Sequence, residues 1–302
     1  MRTTVSRKQS NKPIKFTVIV TALVLSIMLV SACTATAAEA TEAVTADVST
    51  ESTSAAEPAK EPIKIKIGVS PVPHGDIITF IKENLAESAG LDIEIIEFTD
   101  YVQPNLALAD EEIDANYFQH VPYLDDFNQE HSTDLVAVAA VHIEPLGIYS
   151  KTITSLDEIS DGAVVAIPND ATNAGRALNL LAANGLLTLK EDVGYSATVN
   201  DIVENPKNLQ IRELEAAQLV RSLDDTTISV INGNYALEGG LTPATDALAL
   251  ESGENNPYAN VLVVKSGHEN DEGIRILSEL LTSAEVKQFI QDNYNGSVIP
   301  AF

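Results

Sequence analysis

The chain has 302 residues, among which 44 acidic residues outnumber 18 basic ones and give a formal net charge of −26. This excess of acid argues against binding to nucleic acid, which depends on basic surface, and against electrostatic docking on anionic lipid. The one cysteine excludes an internal disulfide.

The N-terminus has the pattern of a secretory signal. Five basic residues and no acidic residue come before a 15-residue apolar run at residues 16–30. This run is short for a transmembrane helix, which needs about 20 apolar residues. It leads into VSAC at residues 30–33, which resembles a bacterial lipobox. We therefore predict a signal peptide over residues 1–32 and a lipid on Cys33 that anchors the chain to the extracytoplasmic face of the cell membrane. A signal-anchor, or a cysteine that follows the signal by chance, is the alternative.

The segment after the predicted cleavage site has a different composition. Cleavage before Cys33 would leave 13 basic and 44 acidic residues, a net charge of −31. Residues 33–62 are rich in Ala, Thr, Ser and Glu and have almost no large apolar side chain. Such a segment cannot bury the apolar surface that folding requires. We predict that it forms a disordered tether between the lipid and a folded domain.

From residue 63 onward, apolar residues recur with the periods of strands and helices. The predicted strands are residues 63–69, 91–98, 135–141, 163–167, 209–214, 227–231 and 260–265. The predicted helices are residues 76–88, 104–110, 172–184, 216–222, 271–281 and 284–294. This alternation favours an α/β fold with parallel or mixed sheets.

About 240 residues are many for one sheet, so two lobes are expected. Two stretches that contain proline, residues 144–147 and 255–258, suit the connections between them. We place lobe I at residues 63–145 plus 256–302 and lobe II at residues 146–255.

Aromatic residues cluster at residues 116–124, NYFQHVPYL, although aromatics make up only 5% of the chain. Aromatic walls suit a long, thin apolar side chain, and contacts between sulfur and aromatic rings are favourable. The stretch as a whole, with its three aromatic rings and His120, is therefore a candidate part of a ligand site. Ordinary core packing is the alternative.

Two further stretches join an apolar strand to polar groups. In PNDATNAGR at residues 168–176, Arg176 can offer a bidentate fork to a carboxylate, and Asn169 or Asp170 can cap the helix. Asn232 ends the predicted strand 227–231, at the edge where open α/β sheets place ligand groups. A plain cap, a solvated arginine and a simple turn are the alternatives.

Enzyme motifs are missing from the sequence. It contains no nucleophile elbow, no phosphate-binding loop and no HExxH, and its five histidines lack the spacing of metal ligands. We therefore expect a protein that is not an enzyme and that uses no metal or cofactor.

Five long stretches, in this order, resemble the methionine-binding lipoprotein family of ABC importers, the NlpA/MetQ type. They are FTDYVQPNLAL at residues 98–108, IDANYFQHVPYL at 113–124, VAIPNDATNAGRAL at 165–178, IVENPKNLQIRELEAAQLVRSLDD at 202–225 and ISVINGNYAL at 228–237. The resemblance extends over residues 63–302. It implies a type II periplasmic-binding-protein fold, in which two α/β lobes joined by two crossover strands hold the ligand between them.

The resemblance also implies roles for individual residues. Tyr101, Phe118, His120 and Tyr123 would line a pocket for the ligand side chain, and Arg176 would bind the α-carboxylate. The amino-acid head group would contact Asn169, Asn173 and Asn232. Ala171 and Gly233-Asn234 depart from the family pattern, and neither departure falls on a proposed contact.

The implied function is capture of methionine, as the L or D isomer, by a monomer that delivers it to an ABC permease with its cytoplasmic ATPase. Another apolar amino acid or a short methionine-containing peptide is the alternative ligand. A surface interaction lipoprotein or an enzyme that uses the same scaffold is the alternative class of protein.

Overall fold

A computed structural model describes residues 61–302 of the chain. The predicted signal peptide, the predicted lipid site at Cys33 and the predicted tether up to residue 60 lie outside the described residues. Glu61 and Pro62, the last two residues of that tether, are exposed and belong to no strand or helix.

The described residues form thirteen strands and nine helices. The strands are β1 (Ile63–Val69), β2 (Leu91–Glu97), β3 (Ala115–His120), β4 (Leu135–Ile143), β5 (Gly147–Tyr149), β6 (Val164–Pro168), β7 (Thr188–Leu189), β8 (Ile202–Glu204), β9 (Gln210–Leu214), β10 (Ile228–Ile231), β11 (Ala249–Leu250), β12 (Ala259–Lys265) and β13 (Ile299–Pro300). The helices are α1 (Asp76–Asn84), α2 (Gln103–Ala109), α3 (Val121–His131), α4 (Ala171–Ala183), α5 (Leu219–Ser222), α6 (Gly233–Glu238), α7 (Pro243–Asp246), α8 (Glu272–Leu281) and α9 (Ala284–Tyr294).

Two mixed sheets organise the fold. The first has six strands in the order β13-β4-β12-β3-β1-β2, and the second has five strands in the order β11-β5-β10-β6-β9. In the first sheet β1 pairs in parallel with β2 and β3, whereas β12 is antiparallel to β3 and β4. In the second sheet β6 is parallel to β9 and β10, and β5 is antiparallel to β10. The predicted α/β class with mixed sheets is confirmed.

Each sheet has its own apolar core. Alternation along β1 buries Ile65, Ile67 and Val69, and the apolar face of α1 packs on them through Ile77 and Ile81. A second cluster of the first sheet joins β3 and β12 to α3. The second sheet also has two clusters, one around β6, β10 and α4 and one that includes α5 and α6. Separate clusters for each sheet are what a two-lobed molecule requires.

The chain crosses from the first sheet to the second between Ile143 and Gly147, and it returns between Leu250 and Ala259. Both crossings include the proline-containing stretches singled out in the sequence. The lobe limits after residues 145 and 255 stay a prediction. Within residues 61–302, no helix has the length and apolar character needed to cross a membrane.

Candidate ligand cavity

A small cavity of about 20 Å³ lies where residues from both sheets converge. It is lined by Tyr101, Phe118, Gln119, His120, Tyr123, Glu144, Asn173, Arg176, Asn232, Gly233, Asn234 and Asn260. Seven of the eight ligand residues predicted from the sequence are in this lining, and Asn169 is the exception. Segments that lie far apart in the chain therefore meet at one cavity.

Three aromatic rings form one wall of the cavity. Phe118 lies on β3, Tyr123 lies in the first turn of α3, and Tyr101 precedes α2. The ring of Tyr101 is 5.9 Å from that of Phe118 and 5.7 Å from that of Tyr123 between centroids. The Tyr123 hydroxyl donates a hydrogen bond of 3.0 Å to the carbonyl of Tyr101. The wall is thus fixed by ring contacts and by this bond, and it offers an apolar surface.

His120 connects this wall to the opposite side of the cavity. Its Nδ1 accepts a hydrogen bond from the backbone N–H of Tyr123 and so caps α3. The proton therefore sits on Nε2, which lies 3.2 Å from Asn173 Oδ1 and donates to it. Burial, followed by the charge of Arg176, lowers the pKa of His120 to about 3. His120 is neutral at physiological pH and acts as a fixed N–H donor.

Asn173 holds two lining residues in place. Its Oδ1 accepts from His120 and, at 3.0 Å, from the side-chain amide of Asn232. The Oδ1 atom of Asn232 is buried without a hydrogen-bond partner among the described residues, and so is Nδ2 of Asn234. Because a buried polar group without a partner is costly, these two atoms mark places where a ligand would supply the missing bonds.

Arg176 lies in the second turn of α4 and is only 4% exposed. Its Nε lies 2.9 Å from Glu251 Oε1, and its Nη2 donates to Glu251 and, at 2.8 Å, to the carbonyl of Glu144. The ring of Tyr258 lies 4.1 Å from the guanidinium carbon. No hydrogen bond among residues 61–302 uses Nη1 of Arg176, a residue that lines both this cavity and a neighbouring pocket beside Tyr195 and Leu250.

Glu144, on the first crossing between the sheets, is a buried lining residue that the sequence did not single out. Its Oε1 lies 2.8 Å from His142 Nε2 and 3.2 Å from His74 Nε2. Burial raises the pKa of Glu144, and the charge of His74 and the backbone N–H of Asn234 oppose that rise. Burial lowers the pKa of His74 to about 4 and that of His142 to about 3.

The histidines that looked scattered in the sequence are therefore partly gathered by the fold. Ligand-type atoms of His74, His142 and Glu144 lie within 4.8 Å of one another, and all three side chains are buried. Residue types of this kind bind metals. Here His142 is hydrogen-bonded to Glu144 and Tyr117, and Nε2 of His74 to Asn260, whereas Nδ1 of His74 is buried without a hydrogen-bond partner among residues 61–302.

Two expectations about individual residues differ from the structure. Asn169 is exposed, lies outside the cavity and donates a 2.9 Å hydrogen bond to Glu215. Asp170 is the N-cap of α4, where its carboxylate accepts from the backbone N–H of Asn173, so Asn169 lies one position before the cap. Gly233 and Asn234 were not among the proposed contacts, yet both line the cavity, because α6 begins shortly after β10 ends.

The sequence model described as NlpA lipoprotein matches residues 65–302. The D-methionine-binding lipoprotein MetQ of Escherichia coli is 45% identical over 242 residues, which cover 80% of this chain and 89% of that protein. The membrane lipoprotein TpN32 of Treponema pallidum is 41% identical over 238 residues, 78% of this chain and 88% of the relative.

Solved structures show the same likeness. A nutrient binding protein from Burkholderia cenocepacia bound to methionine has a TM-score of 0.76 at 43% identity, and the match covers 79% of this chain and all of that one. A putative lipoprotein from Ruminococcus gnavus has a TM-score of 0.78 at 49% identity over 79% of this chain and 99% of that one. These likenesses confirm the expected fold, a two-lobed periplasmic-binding-protein fold.

Proposed function

Because the chain belongs to the NlpA lipoprotein family, we propose that it is a lipid-anchored substrate-binding protein that captures methionine for an ABC importer. The observation that carries this proposal is that a buried guanidinium and an aromatic wall line one cavity. A relative named for D-methionine and a solved relative bound to methionine support the choice of ligand.

Each part of methionine has a complementary group in the cavity. Nη1 of Arg176 would donate to the α-carboxylate, and the unpartnered Oδ1 of Asn232 would accept from the ammonium group. The thioether chain would lie against Tyr101, Phe118 and Tyr123, where each contact between sulfur and a ring contributes roughly 0.3–1.5 kcal/mol. His120 and Asn173 would hold the two sides of this arrangement together.

The tightness of the cavity favours a small ligand. The free space in this arrangement is about 20 Å³, so even a free amino acid requires the walls to move apart. A peptide that contains methionine would need more space and a second opening beside Arg176, where Glu251 and Tyr258 already pack. Another apolar amino acid of similar length remains the second candidate.

Capture would proceed by closure of two lobes, which we place at residues 63–145 plus 256–302 and at residues 146–255. Hydrogen bonds already connect these two groups of residues directly: Tyr101 donates to Asn234 at 2.6 Å, and Tyr235 donates to the carbonyl of Thr99 at 3.1 Å. The two crossings would act as the hinge. A ligand that contacts both lobes would stabilise this closed arrangement to the extent that it binds the closed form more tightly than the open form.

We further propose that the closed monomer docks on a membrane permease driven by a cytoplasmic ATPase, and that it performs no catalysis. The relatives are named as binding proteins and lipoproteins. The anchor would be the lipid on Cys33, at the extracytoplasmic face. Mass spectrometry of the mature N-terminus tests this anchor, with Cys33→Ala as the unlipidated control. A mature protein that still begins at Met1 would contradict the proposed cleavage and lipidation.

Titration calorimetry of the full chain in detergent micelles tests the ligand. L-methionine, D-methionine, leucine and alanine should be compared after the protein has been unfolded and refolded to remove carried-over ligand. We expect one site, with methionine bound most tightly of the four. Absence of heat with both methionine isomers, or tighter binding of leucine, would refute the assignment.

A further inference from the structure

The guanidinium of Arg176 is held by the two crossings between the sheets. Its Nε and Nη2 donate to the carboxylate of Glu251, on the second crossing, and Nε lies 2.9 Å from Oε1. Nη2 also donates at 2.8 Å to the carbonyl of Glu144, on the first crossing. All of its hydrogen-bond partners among residues 61–302 therefore lie on the segments proposed as the hinge, although its own backbone belongs to α4.

These contacts divide the donors of the guanidinium between the protein and a ligand. A guanidinium carries N–H groups on Nε and on both terminal nitrogens. Glu251 and the carbonyl of Glu144 accept from Nε and Nη2. Nη1 is the nitrogen left for a ligand carboxylate, so its direction depends on how Glu251 orients the group.

The ring of Tyr258, also on the second crossing, covers one face of the guanidinium. Its centroid lies 4.1 Å from the guanidinium carbon, a favourable cation–π contact. Tyr258 is buried, and its ring meets those of His120 and Tyr195 at 4.9 and 5.5 Å between centroids. With one edge held by Glu251 and one face covered, Arg176 cannot turn without breaking contacts.

Glu251 is itself fixed by its neighbours. Its backbone N–H donates at 2.9 Å to the carbonyl of Leu146, on the first crossing. Its Oε2 accepts at 2.9 Å from the side-chain amide of Asn256 and lies 3.4 Å from the backbone nitrogen of Leu146. One carboxylate thus joins both crossings to the cation of the cavity.

We propose that Glu251 is a positioning residue that orients Arg176 toward the carboxylate of the ligand, so that the two crossings together hold the group that anchors the ligand. The inference rests on the proposed capture of an amino acid, and it assigns a role to a residue outside the lining of the cavity. A paired arginine and carboxylate fix each other's geometry as well as adding energy. A cation oriented in advance loses less conformational freedom when the ligand binds.

Glu251 affects methionine affinity in two ways that have opposite signs. Its negative charge offsets that of Arg176 and repels the ligand carboxylate, so its charge alone weakens binding. Its positioning of the guanidinium strengthens binding. A variant that removes the charge but keeps the length of the side chain shows which effect is larger.

The first test compares Glu251→Gln with the wild-type protein by titration calorimetry on the full chain in micelles. Methionine affinity should fall by about 10-fold, because the amide keeps one acceptor for Arg176 and loses the other. The affinity for 3-(methylthio)propylamine, which has no carboxylate, should change by less than about 3-fold. Glu254→Gln, at an exposed position on the same crossing, removes the same charge and should leave both affinities unchanged.

An equal or higher methionine affinity in Glu251→Gln would overturn this inference and leave the proposed function intact. Equal losses for methionine and the amine would also overturn it, because a merely structural role weakens the binding of both ligands alike. If the wild-type protein bound no methionine, the proposed function and this inference would both fail.

The second test keeps the charge and changes the reach of the side chain. Glu251→Asp is shorter by one methylene group, and the bond from its backbone to Leu146 keeps it from following Arg176. Methionine affinity should fall further than in Glu251→Gln, by about 30-fold, with the amine again changed by less than about 3-fold. A smaller loss in Glu251→Asp than in Glu251→Gln would assign the effect to charge and overturn the inference.

If the variants of Glu251 do not fold, NMR on the ligand-free wild-type protein with isotope-labelled arginine decides. The Nε–H signal of Arg176, identified by its absence from Arg176→Lys, should exchange with solvent at least about 10-fold more slowly than that of Arg212, which is exposed. Exchange as fast as that of Arg212 would show that Glu251 does not hold the guanidinium before the ligand arrives, and the inference would fail.

Discussion

The two walls of the cavity differ in how complete their hydrogen bonds are. On the aromatic wall, Tyr101 and Tyr123 donate to Asn234 Oδ1 and to a backbone carbonyl, and His120 uses both ring nitrogens. On the polar wall, Asn232 Oδ1 and Asn234 Nδ2 lack partners, and Arg176 leaves Nη1 unused. The comparison indicates that the aromatic wall is preformed, whereas the polar wall is completed only by a ligand head group.

The largest effect on methionine affinity is expected when Arg176 is removed from the polar wall. Arg176→Ala should lower methionine affinity by at least about 100-fold, because the ligand carboxylate would lie buried without its cation. Calorimetry measures the change in affinity. Arg176→Lys keeps the charge but not the planar fork, so its methionine affinity should lie between those of the wild-type protein and Arg176→Ala. If Arg176→Ala bound methionine with wild-type affinity, the polar wall would not be the site that binds the ligand carboxylate.

The loss must be separated from a general loss of structure, because Arg176 also anchors Glu251. 3-(Methylthio)propylamine, which is methionine without its carboxylate, provides the control ligand. Its affinity should change by less than about 3-fold in Arg176→Ala, since its missing group is the one that Arg176 binds. An equal loss for both ligands would assign Arg176 a purely structural role.

A second prediction concerns pH and stability. Burial lowers the pKa of His74 to about 4 and those of His120 and His142 to about 3. Between pH 7 and pH 5 the unfolded chain takes up protons at these three residues and the folded chain does not. The free energy of unfolding therefore falls as the pH falls, by at most about 2 kcal/mol for each histidine.

Two carboxylates act in the opposite direction, because burial raises the pKa values of Glu144 and Asp170. Three histidines against two carboxylates predict a net loss of stability at pH 5. Urea unfolding followed by circular dichroism at pH 7, 6 and 5 measures it. A midpoint that stays constant or rises on acidification would contradict the neutral, buried state of the histidines.

The aromatic wall gives the third prediction. Phe118→Ala should weaken methionine binding by about 10-fold relative to alanine binding, since alanine does not reach the ring. Phe289→Ala serves as the matched control, because Phe289 stacks on Phe80 at 4.5 Å, away from the lining residues. It should lower stability without changing the ratio of the two affinities. Equal losses of methionine and alanine binding in Phe118→Ala would mean that the ring acts only in the core.

The sequence predicted strands that alternate, such as β1, and strands that form apolar runs, such as β12. It missed β3, in which all six residues are buried but three of them, Asn116, Gln119 and His120, are polar, so neither pattern is present. The following helix α3 was missed as well, because its N-cap is His120 rather than a serine, threonine or aspartate. The segment that carries most of the aromatic wall was therefore recognised by its composition and by family resemblance, not by its secondary structure.

Local sequence patterns could not identify the charged partners of the site. Glu251 pairs with Arg176 across 75 residues, and nothing distinguishes it among 44 acidic residues. Glu144 meets His74, on a turn 70 positions earlier in the chain, only because the first crossing passes that turn. Such pairs are set by the packing of distant segments, which is why the sequence indicated the cation of the site but not the carboxylates.

The smallest effect on methionine affinity is expected at Asn169. This variant tests where the polar wall ends. Asn169→Ala should change methionine affinity by less than about 2-fold, because the residue is exposed, bonds Glu215 and lies outside the cavity. Asn173→Ala, four residues further on, should weaken binding by about 10-fold through loss of the bonds that hold His120 and Asn232. Calorimetry on the two variants side by side separates a residue that resembles a family contact from one that the fold brings to the ligand. A loss in Asn169→Ala as large as that in Asn173→Ala would require that Asn169 turns toward the ligand on binding, and the polar wall would then extend beyond Asp170 to the end of β6.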